Sequence, residues 1–307
     1  MRIDAPIFAQ VYLTDDGATA RRISELDPAV HGGSAQAVAW SPDGKRLAFA
    51  YGPSITAGWG ILDPDGGEPL IMSGIGSFAW SPDGSQVATG AAFDVLPAEA
   101  MNALEVSVAD PTTGEAEQVG RGVLVGWHPD GERVVVLRFQ GEPEQSSGAV
   151  QLVLISTTDG SEEELFLGAR TARWSLDGSQ VAYVVPEPSC VTSPCDHILV
   201  GHVASDELTD VAMGYEPVWS PDGRRLAYIS DAPDGTRVGV VDLETGESVD
   251  LGPAGYPATW SPDGQQIAVS ALDSPEGESV VRVIDVDSGE LVAELPGFAP
   301  AWRPGSS

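Results

Sequence analysis

The chain has 307 residues, 42% of which are hydrophobic, and its mean hydropathy is −0.03. A folded chain of this length buries about three quarters of its unfolded surface, so folding requires neither a metal nor a disulfide. Its 46 Asp and Glu residues outnumber 15 Lys and Arg residues, and the formal net charge is −31. This charge repels phosphates and anionic lipids, which excludes nucleic acid as a partner. Because no apolar run is long enough to cross a bilayer and like charge opposes self-association, we expect a monomer without direct membrane insertion.

The two cysteines, Cys190 and Cys195, lie in a stretch rich in turn-forming residues. Their spacing allows a local disulfide, and such bonds persist in oxidising compartments. A metal site made of both cysteines and His197 is the alternative, but a fourth ligand at a recognisable spacing is missing. Residues 1–6 show no signal peptide, so the chain is either cytoplasmic or a domain that has lost a leader or anchor. Because a local disulfide is rare in the cytosol, we expect an extracytoplasmic domain of the periplasm or cell surface. A cytoplasmic protein is the alternative.

In chain order, the first predicted elements are two short strands, residues 11–13 and 20–23, joined by an acidic turn at residues 15–17. A repeat then begins, in which a strand ends at tryptophan and a turn of the Ser-Pro-Asp-Gly type follows. Successive tryptophans of this repeat are 40, 47, 47, 45, 41 and 42 residues apart. The repeated tryptophans are Trp40, Trp80, Trp127, Trp174, Trp219, Trp260 and Trp302.

Each repeat unit is predicted to contain four strands. In the turn, proline presets φ, aspartate bonds the backbone two residues further on, and glycine adopts positive φ. An alternating strand follows, as at residues 225–228, then a variable loop and a third strand, as at 238–242. An acidic glycine turn leads into the fourth strand. A strand-rich repeat with a period of about 40–50 residues predicts a β-propeller of four-stranded blades.

These motifs resemble the WD40-like repeat of the C-terminal propeller domain of TolB, a repeat found in many bacterial extracytoplasmic proteins. The resemblance covers residues 9–305 and includes six strong copies. It implies an all-β propeller. The α/β domain that precedes the TolB propeller has no counterpart here, nor has the hydrolase domain that follows the propeller of prolyl oligopeptidase-like peptidases. Resemblance at this level implies architecture rather than activity.

We predict one propeller domain over residues 1–307, with seven blades. Six repeats are complete, and the seventh blade is split between about residues 1–30 and residues 298–305. Pairing of the C-terminal strand with N-terminal strands would close the ring and remove exposed sheet edges. Residues 3–8 are the candidate second strand of this blade. A six-bladed ring with a displaced end is the alternative.

Binding is expected on the face opposite the repeated Asp-Gly turns, because the loops there vary from blade to blade. The long loops of this face span about residues 93–102, 139–148 and 186–196. The innermost strands line the channel, and aromatic residues of three consecutive blades recur four positions before tryptophan. Packing of these aromatic rings between blades is the alternative to binding. The candidate ligand-binding residues are Gln36, Arg170, Tyr215, Glu216, Tyr256 and Phe298.

The sequence contains no recognisable catalytic motif, neither a nucleophile elbow nor a phosphate loop nor a zinc-binding helix. We therefore predict a non-catalytic binding module for a protein segment, peptide or small ligand, in a bacterial envelope, sensor or lipoprotein system. The alternative is a lyase- or hydrolase-type propeller enzyme, with or without a metal, whose site only the fold assembles. No cofactor is predicted. Calcium at residues 285–290 is the alternative, but that loop lacks two ligand positions of a calcium motif.

Overall fold

The computed structural model is all-β in its described parts, which contain 26 strands and no helix. Six four-stranded antiparallel sheets follow one another along the chain, each with its strands in sequence order. These six sheets are the blades. The described residues are 12–14, 20–22, 35–51, 58–72, 77–90, 102–140, 149–187, 196–203, 207–233, 235–253, 255, 258–272, 279–297 and 300–304.

The strand bounds follow the predicted repeat. Blade 1 comprises β3 (Ala35–Trp40), β4 (Leu47–Tyr51), β5 (Gly58–Leu62) and β6 (Leu70–Met72). Blade 2 comprises β7 (Ser77–Trp80), β8 (Val87–Gly90), β9 (Glu105–Ala109) and β10 (Ala116–Arg121). Blade 3 comprises β11 (Val123–Trp127), β12 (Arg133–Gln140), β13 (Ala149–Ser156) and β14 (Glu162–Leu167). Blade 4 comprises β15 (Thr171–Trp174), β16 (Gln180–Pro186), β17 (Asp196–His202) and β18 (Leu208–Met213). Blade 5 comprises β19 (Tyr215–Trp219), β20 (Arg225–Ala232), β21 (Gly235–Asp242) and β22 (Ser248–Pro253). Blade 6 comprises β23 (Ala258–Trp260), β24 (Gln266–Leu272), β25 (Ser279–Asp285) and β26 (Leu291–Pro296).

The first strand of each blade lies innermost. Contacts join β3 to β7, β7 to β11, β15 to β19, and β19 to β23, so first strands meet the first strands of the next blade. Between neighbouring blades, side chains from both sheets form the hydrophobic core; for example, Val135 and Leu152 of blade 3 pack with Ala172 and Tyr183 of blade 4. This arrangement confirms the predicted propeller.

The prediction of seven blades is wrong, and the six-bladed alternative is confirmed. The predicted N-terminal hairpin does form, as β1 (Tyr12–Thr14) paired with β2 (Ala20–Arg22), but it is a separate two-stranded sheet. Residues 300–304 are not a strand. The seventh tryptophan lacks the Asp-Gly turn and the following strand, so it has no ladder partner of its own. The candidate strand at residues 3–8 lies outside the described residues.

The repeated turns are held by serine and aspartate side chains. In blade 1, the Ser41 hydroxyl donates to Asp43 Oδ1 at 2.7 Å and accepts a hydrogen bond from the Arg46 backbone N–H at 2.9 Å. The Lys45 backbone N–H also donates to Asp43 Oδ1. Gly44 adopts φ 67°, a left-handed conformation that favours glycine. The turns of blades 2, 4, 5 and 6 repeat the Ser-to-Asp bond at 2.6–2.7 Å, so these aspartates have a structural role.

These turns predict a loss of stability in acid. The Ser41 hydroxyl, followed by the Lys45 backbone N–H, lowers the pKa of Asp43 from 3.8 to about 2, and the Ser175 hydroxyl, followed by the Ser179 N–H, does the same for Asp177. Because the folded pKa is depressed, the stabilisation is complete above pH 3.8 and is lost as the pH falls towards about 2. We expect the urea midpoint to fall over this window at constant salt. In a variant carrying Asp43→Asn and Asp177→Asn, the fall should be shallower, and an equally steep fall would contradict the assignment.

Tryptophan links consecutive blades by a hydrogen bond. Trp80 Nε1 donates to the Ala39 carbonyl of the preceding blade at 3.0 Å. The same bond recurs from Trp127 to Ala79, from Trp219 to Arg173 and from Trp260 to Val218, at 2.7–3.0 Å. In each case the acceptor is the residue before the tryptophan of the preceding blade. The recurrence of tryptophan in the sequence therefore reflects its use as a link between blades.

Residues 300–304 close the ring between blade 6 and blade 1. The Trp302 side chain packs against Ala268, Val281 and Val283 of blade 6. Arg303 Nε donates to the Gly44 carbonyl at 2.7 Å, and its guanidinium lies 4.9 Å from the centre of the Trp40 ring. In blade 5, Arg225 makes the same two contacts with blade 6. The C-terminal segment thus contacts blade 1 as a preceding blade would.

Candidate functional site

The inner strands depart from regular pairing at their entry ends, on the face opposite the Asp-Gly turns. In β3, the register shifts between Ala35 and Ala37, so Gln36 lies at a bulge. In β19 the shift lies between Tyr215 and Val218. A bulge bends a strand locally, and both shifts lie near the start of an inner strand. We call the inner-strand entry region of blades 4 and 5 the mouth; it comprises Arg170, Asp196, Tyr215, Glu216 and Asp231.

On blade 4, the mouth contains an ion pair with one buried partner. Arg170 Nη1 lies 3.1 Å from Asp196 Oδ2, and the side chains of these residues are 47% and 6% exposed. A buried carboxylate is costly without a partner, so the arginine has a structural reason for its position. The backbone N–H of Arg170 also donates to the Val184 carbonyl at 2.7 Å. The outer part of the guanidinium remains accessible from the mouth.

On blade 5, the ring of Tyr215 packs in the core and its hydroxyl lies at the mouth. Its ring packs against the hydrophobic clusters on both sides of blade 5. Its hydroxyl donates to Asp231 Oδ1 at 3.1 Å, and this carboxylate belongs to an exposed residue. The Tyr215 ring therefore packs between blades, which is the alternative to ligand binding. Its hydroxyl and the Asp231 carboxylate lie at the mouth.

Glu216 adopts a strained backbone conformation. Its φ is 51°, and it is the only non-glycine residue with positive φ in the described parts of the chain. Such a conformation costs on the order of 1 kcal/mol in a residue with a Cβ, and it tends to persist where function requires it. Glu216 lies in the bulge of β19 and is exposed. The mouth therefore presents a carboxylate that backbone strain helps to direct into solvent.

A histidine with two carboxylate neighbours lies on the same face of blade 4. His197 Nδ1 is 2.6 Å from Asp210 Oδ2, and His197 Nε2 is 3.5 Å from Glu187 Oε2. This group is not evident in the sequence, because Asp210 is brought to His197 only by pairing of β17 with β18. Within the described ranges, His, Cys, Asp and Glu side chains form no group of three or more suited to a metal. In the acidic loop at 285–290, Asp285 accepts hydrogen bonds from Ser288 and Asp287 pairs with Arg225.

A cleft of about 610 Å³ lies between the outermost strand of blade 2 and blade 3. We call it the interblade cleft. It lies at the ends of two of the long loops, and it could not be predicted from the sequence because its walls come from separate repeats. Its lining residues are Asn102, Gln118, Val119, Gly120, Arg121, Arg138, Phe139, Gln140 and Glu162.

The remaining predicted site residues have not been tested. Tyr256, Phe298, Cys190 and Cys195 lie outside the described residues. Gln36 is placed by its backbone alone. Of the six ligand-binding candidates, the structure therefore brings Arg170, Tyr215 and Glu216 to the mouth of adjacent blades.

The six four-stranded blades, with their repeated Ser–Asp turns and tryptophan links, define a β-propeller of WD40-like repeats. Neither a protein-family model nor a curated protein matches this chain. Solved propellers do match it. TolB from Acinetobacter baumannii is 18% identical, with a TM-score of 0.63 over 85% of this chain and 67% of that chain.

Two other solved structures show how widely this architecture is used. An oligogalacturonate lyase in complex with manganese is 17% identical, with a TM-score of 0.62 over 84% of this chain and 76% of that chain. The β-propeller domain of the Trilobed protease from Pyrococcus furiosus is 14% identical, with a TM-score of 0.62 over 86% of this chain and 85% of that chain. The chain therefore has the TolB-type, WD40-like propeller fold, and at these identities the likeness establishes fold and not activity.

Proposed function

We propose that this propeller is a non-catalytic binding module that holds a cationic protein segment at the mouth. The observation that carries the proposal is the strained, exposed Glu216 beside the Tyr215–Asp231 pair. A carboxylate kept at a conformational cost points to a use for its charge. Aromatic side chains with a polar tip are frequent at binding surfaces because they bury apolar area and still hydrogen-bond.

The charge of the chain favours the same class of partner. With a net charge of −31, the long-range field attracts cations and repels anions. Arg170 is a cation at the mouth, and its charge is directed to the buried Asp196. The exposed carboxylate of Glu216 is therefore the group best placed for a Lys or Arg side chain of a partner.

The setting we propose is extracytoplasmic. Its support is the predicted disulfide between Cys190 and Cys195 and the fold shared with TolB. In the described parts of the chain, no helix is long and apolar enough to cross a membrane. An intact mass lower than that of the reduced protein by the two hydrogens of one disulfide would support this setting, and free thiols after non-reducing purification would count against it.

Peptide selection tests the proposal directly. A random-sequence peptide library is selected on the wild-type protein, and the dissociation constants of labelled selected peptides are measured by fluorescence anisotropy. We expect Lys- and Arg-rich peptides, and weaker binding as salt screens the charges. Glu216→Gln should raise the dissociation constant about tenfold, the equivalent of one good charge-assisted contact. Glu247→Gln is the matched control, because it removes the same charge from an exposed acidic turn of blade 5.

A second variant separates binding from stability. Glu216→Gly relieves the positive φ, so the urea midpoint should not fall, while peptide binding should weaken about tenfold, as in Glu216→Gln. Selected peptides without excess cations, or equal binding by Glu216→Gln and wild type, would contradict the proposal. A fall in stability without a change in binding would assign this region to packing alone.

An enzyme is the second candidate, because His197 lies between two carboxylates and because a lyase in complex with manganese shares the fold. The test is titration with Mn²⁺ followed by native mass spectrometry. One Mn²⁺ retained by the wild type and lost in His197→Ala would favour this candidate. Equal retention of Mn²⁺ by the wild type and by His197→Ala would mean that His197 does not support the enzyme candidate.

A further inference from the structure

The interblade cleft is separate from the mouth and is a depression that is largely open to solvent. Its volume of about 610 Å³ lies within the range usual for small-molecule pockets. One wall is β10 of blade 2, and the other is formed by residues of β12 and β14 in blade 3. Gly120 permits close approach of blades 2 and 3, because a Cβ there would lie 2.5 Å from Ile155 Cδ1 in β13.

Internal hydrogen bonds fix the walls of the cleft. Arg138 binds Glu162 end-on through Nη1 and Nη2, at 2.5 and 2.6 Å, and its Nε donates to the Arg121 carbonyl at 2.9 Å. The hydrogen bonds from Arg138 lower the pKa of Glu162, so this carboxylate is ionised at neutral pH. The Asn102 amide donates to the Phe139 carbonyl and accepts from the Phe139 N–H, both at 2.8 Å. The polar walls are therefore ordered before any ligand enters.

Arg121 differs from nearly all other arginines in the hydrogen bonds of its side chain. Every arginine whose side chain is described donates to a carboxylate, hydroxyl or carbonyl oxygen, apart from Arg46 and Arg121. Arg46 lies near Asp110, whose pKa is lowered mainly by the Thr112 backbone N–H and further by Arg46. Among the described residues, the exposed Arg121 guanidinium has no hydrogen-bonding acceptor. This is notable in a chain with 46 acidic residues and 15 basic ones.

The chemistry of the cleft favours a ligand with one carboxylate. A guanidinium binds a carboxylate through two parallel N–H···O bonds. The other cation of the cleft, Arg138, is already neutralised by Glu162, which leaves one positive charge for the ligand. The field of a chain with net charge −31 disfavours a dianion such as phosphate more than a monoanion. The Gln118 and Gln140 amides line the same space and can bind hydroxyl or amide groups next to the carboxylate.

We propose that the interblade cleft is a binding site for a monocarboxylate, in which Arg121 holds the carboxylate. The carboxylate can come from a small polar metabolite or from the C-terminus of a peptide. The site goes beyond the proposed binding of a cationic segment, since it uses other blades and the opposite charge.

Two pairs of probes test the proposal and distinguish the sources. Gluconate is compared with sorbitol, its uncharged polyol counterpart, and N-acetyl-alanyl-alanine is compared with its C-terminal amide. Binding to the wild-type protein is followed by isothermal titration calorimetry. We expect at least one carboxylate to bind and neither neutral probe to do so. Binding of gluconate alone would indicate that the natural ligand is a small molecule. Binding of the peptide acid alone would indicate that it is the C-terminus of a peptide.

Variants assign the binding to the cleft. Arg121→Gln should weaken carboxylate binding by about tenfold or more, as expected for loss of a charge-assisted contact. Its melting temperature should stay at the wild-type value, because the Arg121 side chain has no acceptor among the described residues. Arg46→Gln, with the same charge change on the Asp-Gly face, is the matched control and should bind as the wild type does.

Several outcomes would overturn the proposal. These are binding of a neutral probe as tightly as its acid, wild-type affinity in Arg121→Gln, equal weakening in Arg46→Gln, or no binding of either acid. Glu216→Gln should leave carboxylate binding unchanged. Failure of one proposal can therefore be distinguished from failure of the other.

Discussion

Trp302→Ala is expected to lower the free energy of unfolding by about 2 kcal/mol, less than truncation of a fully buried aromatic side chain costs, because Trp302 is partly buried. Trp302 packs on the face of blade 6 that has no following four-stranded blade, and the neighbouring Arg303 holds blade 1. Removal of the indole side chain therefore exposes apolar surface of blade 6 and loosens the contact that closes the propeller. The measurement is urea denaturation followed by circular dichroism.

A pair of milder variants separates ring packing from hydrogen bonding. Trp302 Nε1 is buried without an acceptor in the described structure, whereas Trp260 Nε1 donates to the Val218 carbonyl at 3.0 Å. Phenylalanine removes the same atoms at both positions, but only at Trp260 does it break a hydrogen bond. We expect Trp260→Phe to be more destabilising than Trp302→Phe by about 1 kcal/mol. Wild-type stability in Trp302→Ala would show that residues 300–304 do not close the ring.

Gly60→Ala is expected to destabilise the protein by about 3 kcal/mol, at the upper end of the cost of overpacking a core. A Cβ at this position would lie 2.8 Å from Phe49 Cζ and 2.9 Å from the Leu70 carbonyl oxygen. Phe49 is fully buried and pairs directly with Gly60 across β4 and β5, so its ring has no space into which to move. Neither neighbour can relieve the contact without a shift of the sheet.

Gly239→Ala provides the comparison for this prediction. Blade 5 repeats the arrangement with Tyr228 opposite Gly239, where a Cβ would lie 2.6 Å from Tyr228 Cζ. All three nearest atoms belong to the outer end of a partly buried side chain, which can rotate away. We therefore expect a cost of about 1 kcal/mol, measured by the same urea unfolding. An equal loss of stability in Gly60→Ala and Gly239→Ala would mean that the burial of Phe49 does not determine how far the substitution destabilises the protein.

The sequence predicted the propeller well because its signals are local. Each blade depends on a turn whose residues are adjacent in the chain, such as Ser220 and Asp222, and on strands with a period of two. The N-terminal hairpin and the structural role of the turn aspartates could be predicted for the same reason. The number of blades could not be predicted in this way, because a seventh tryptophan does not supply the strands that a seventh blade needs.

The candidate sites depend on contacts between distant residues. Tyr215 and Glu216 could be selected because the repeat numbering gave their position on the innermost strand. The strain at Glu216 could not be predicted, since a bulge in β19 sets its φ. Arg121 gave no signal at all. Its interest comes from its place between two blades and from the lack of a described acceptor, and both depend on how separate repeats pack.

The sequence by itself determined the repeat, the blade architecture, the turn chemistry and the acidic character of this protein, because each of these depends on residues that are near one another or on composition. Only the tertiary structure decided how the ring closes and which polar groups meet. Arg303 reaches Gly44 across 259 positions of the chain, and Arg138 of blade 3 reaches the Arg121 carbonyl of blade 2. Such contacts follow from the packing of whole blades, and packing geometry leaves no short-range pattern in a sequence.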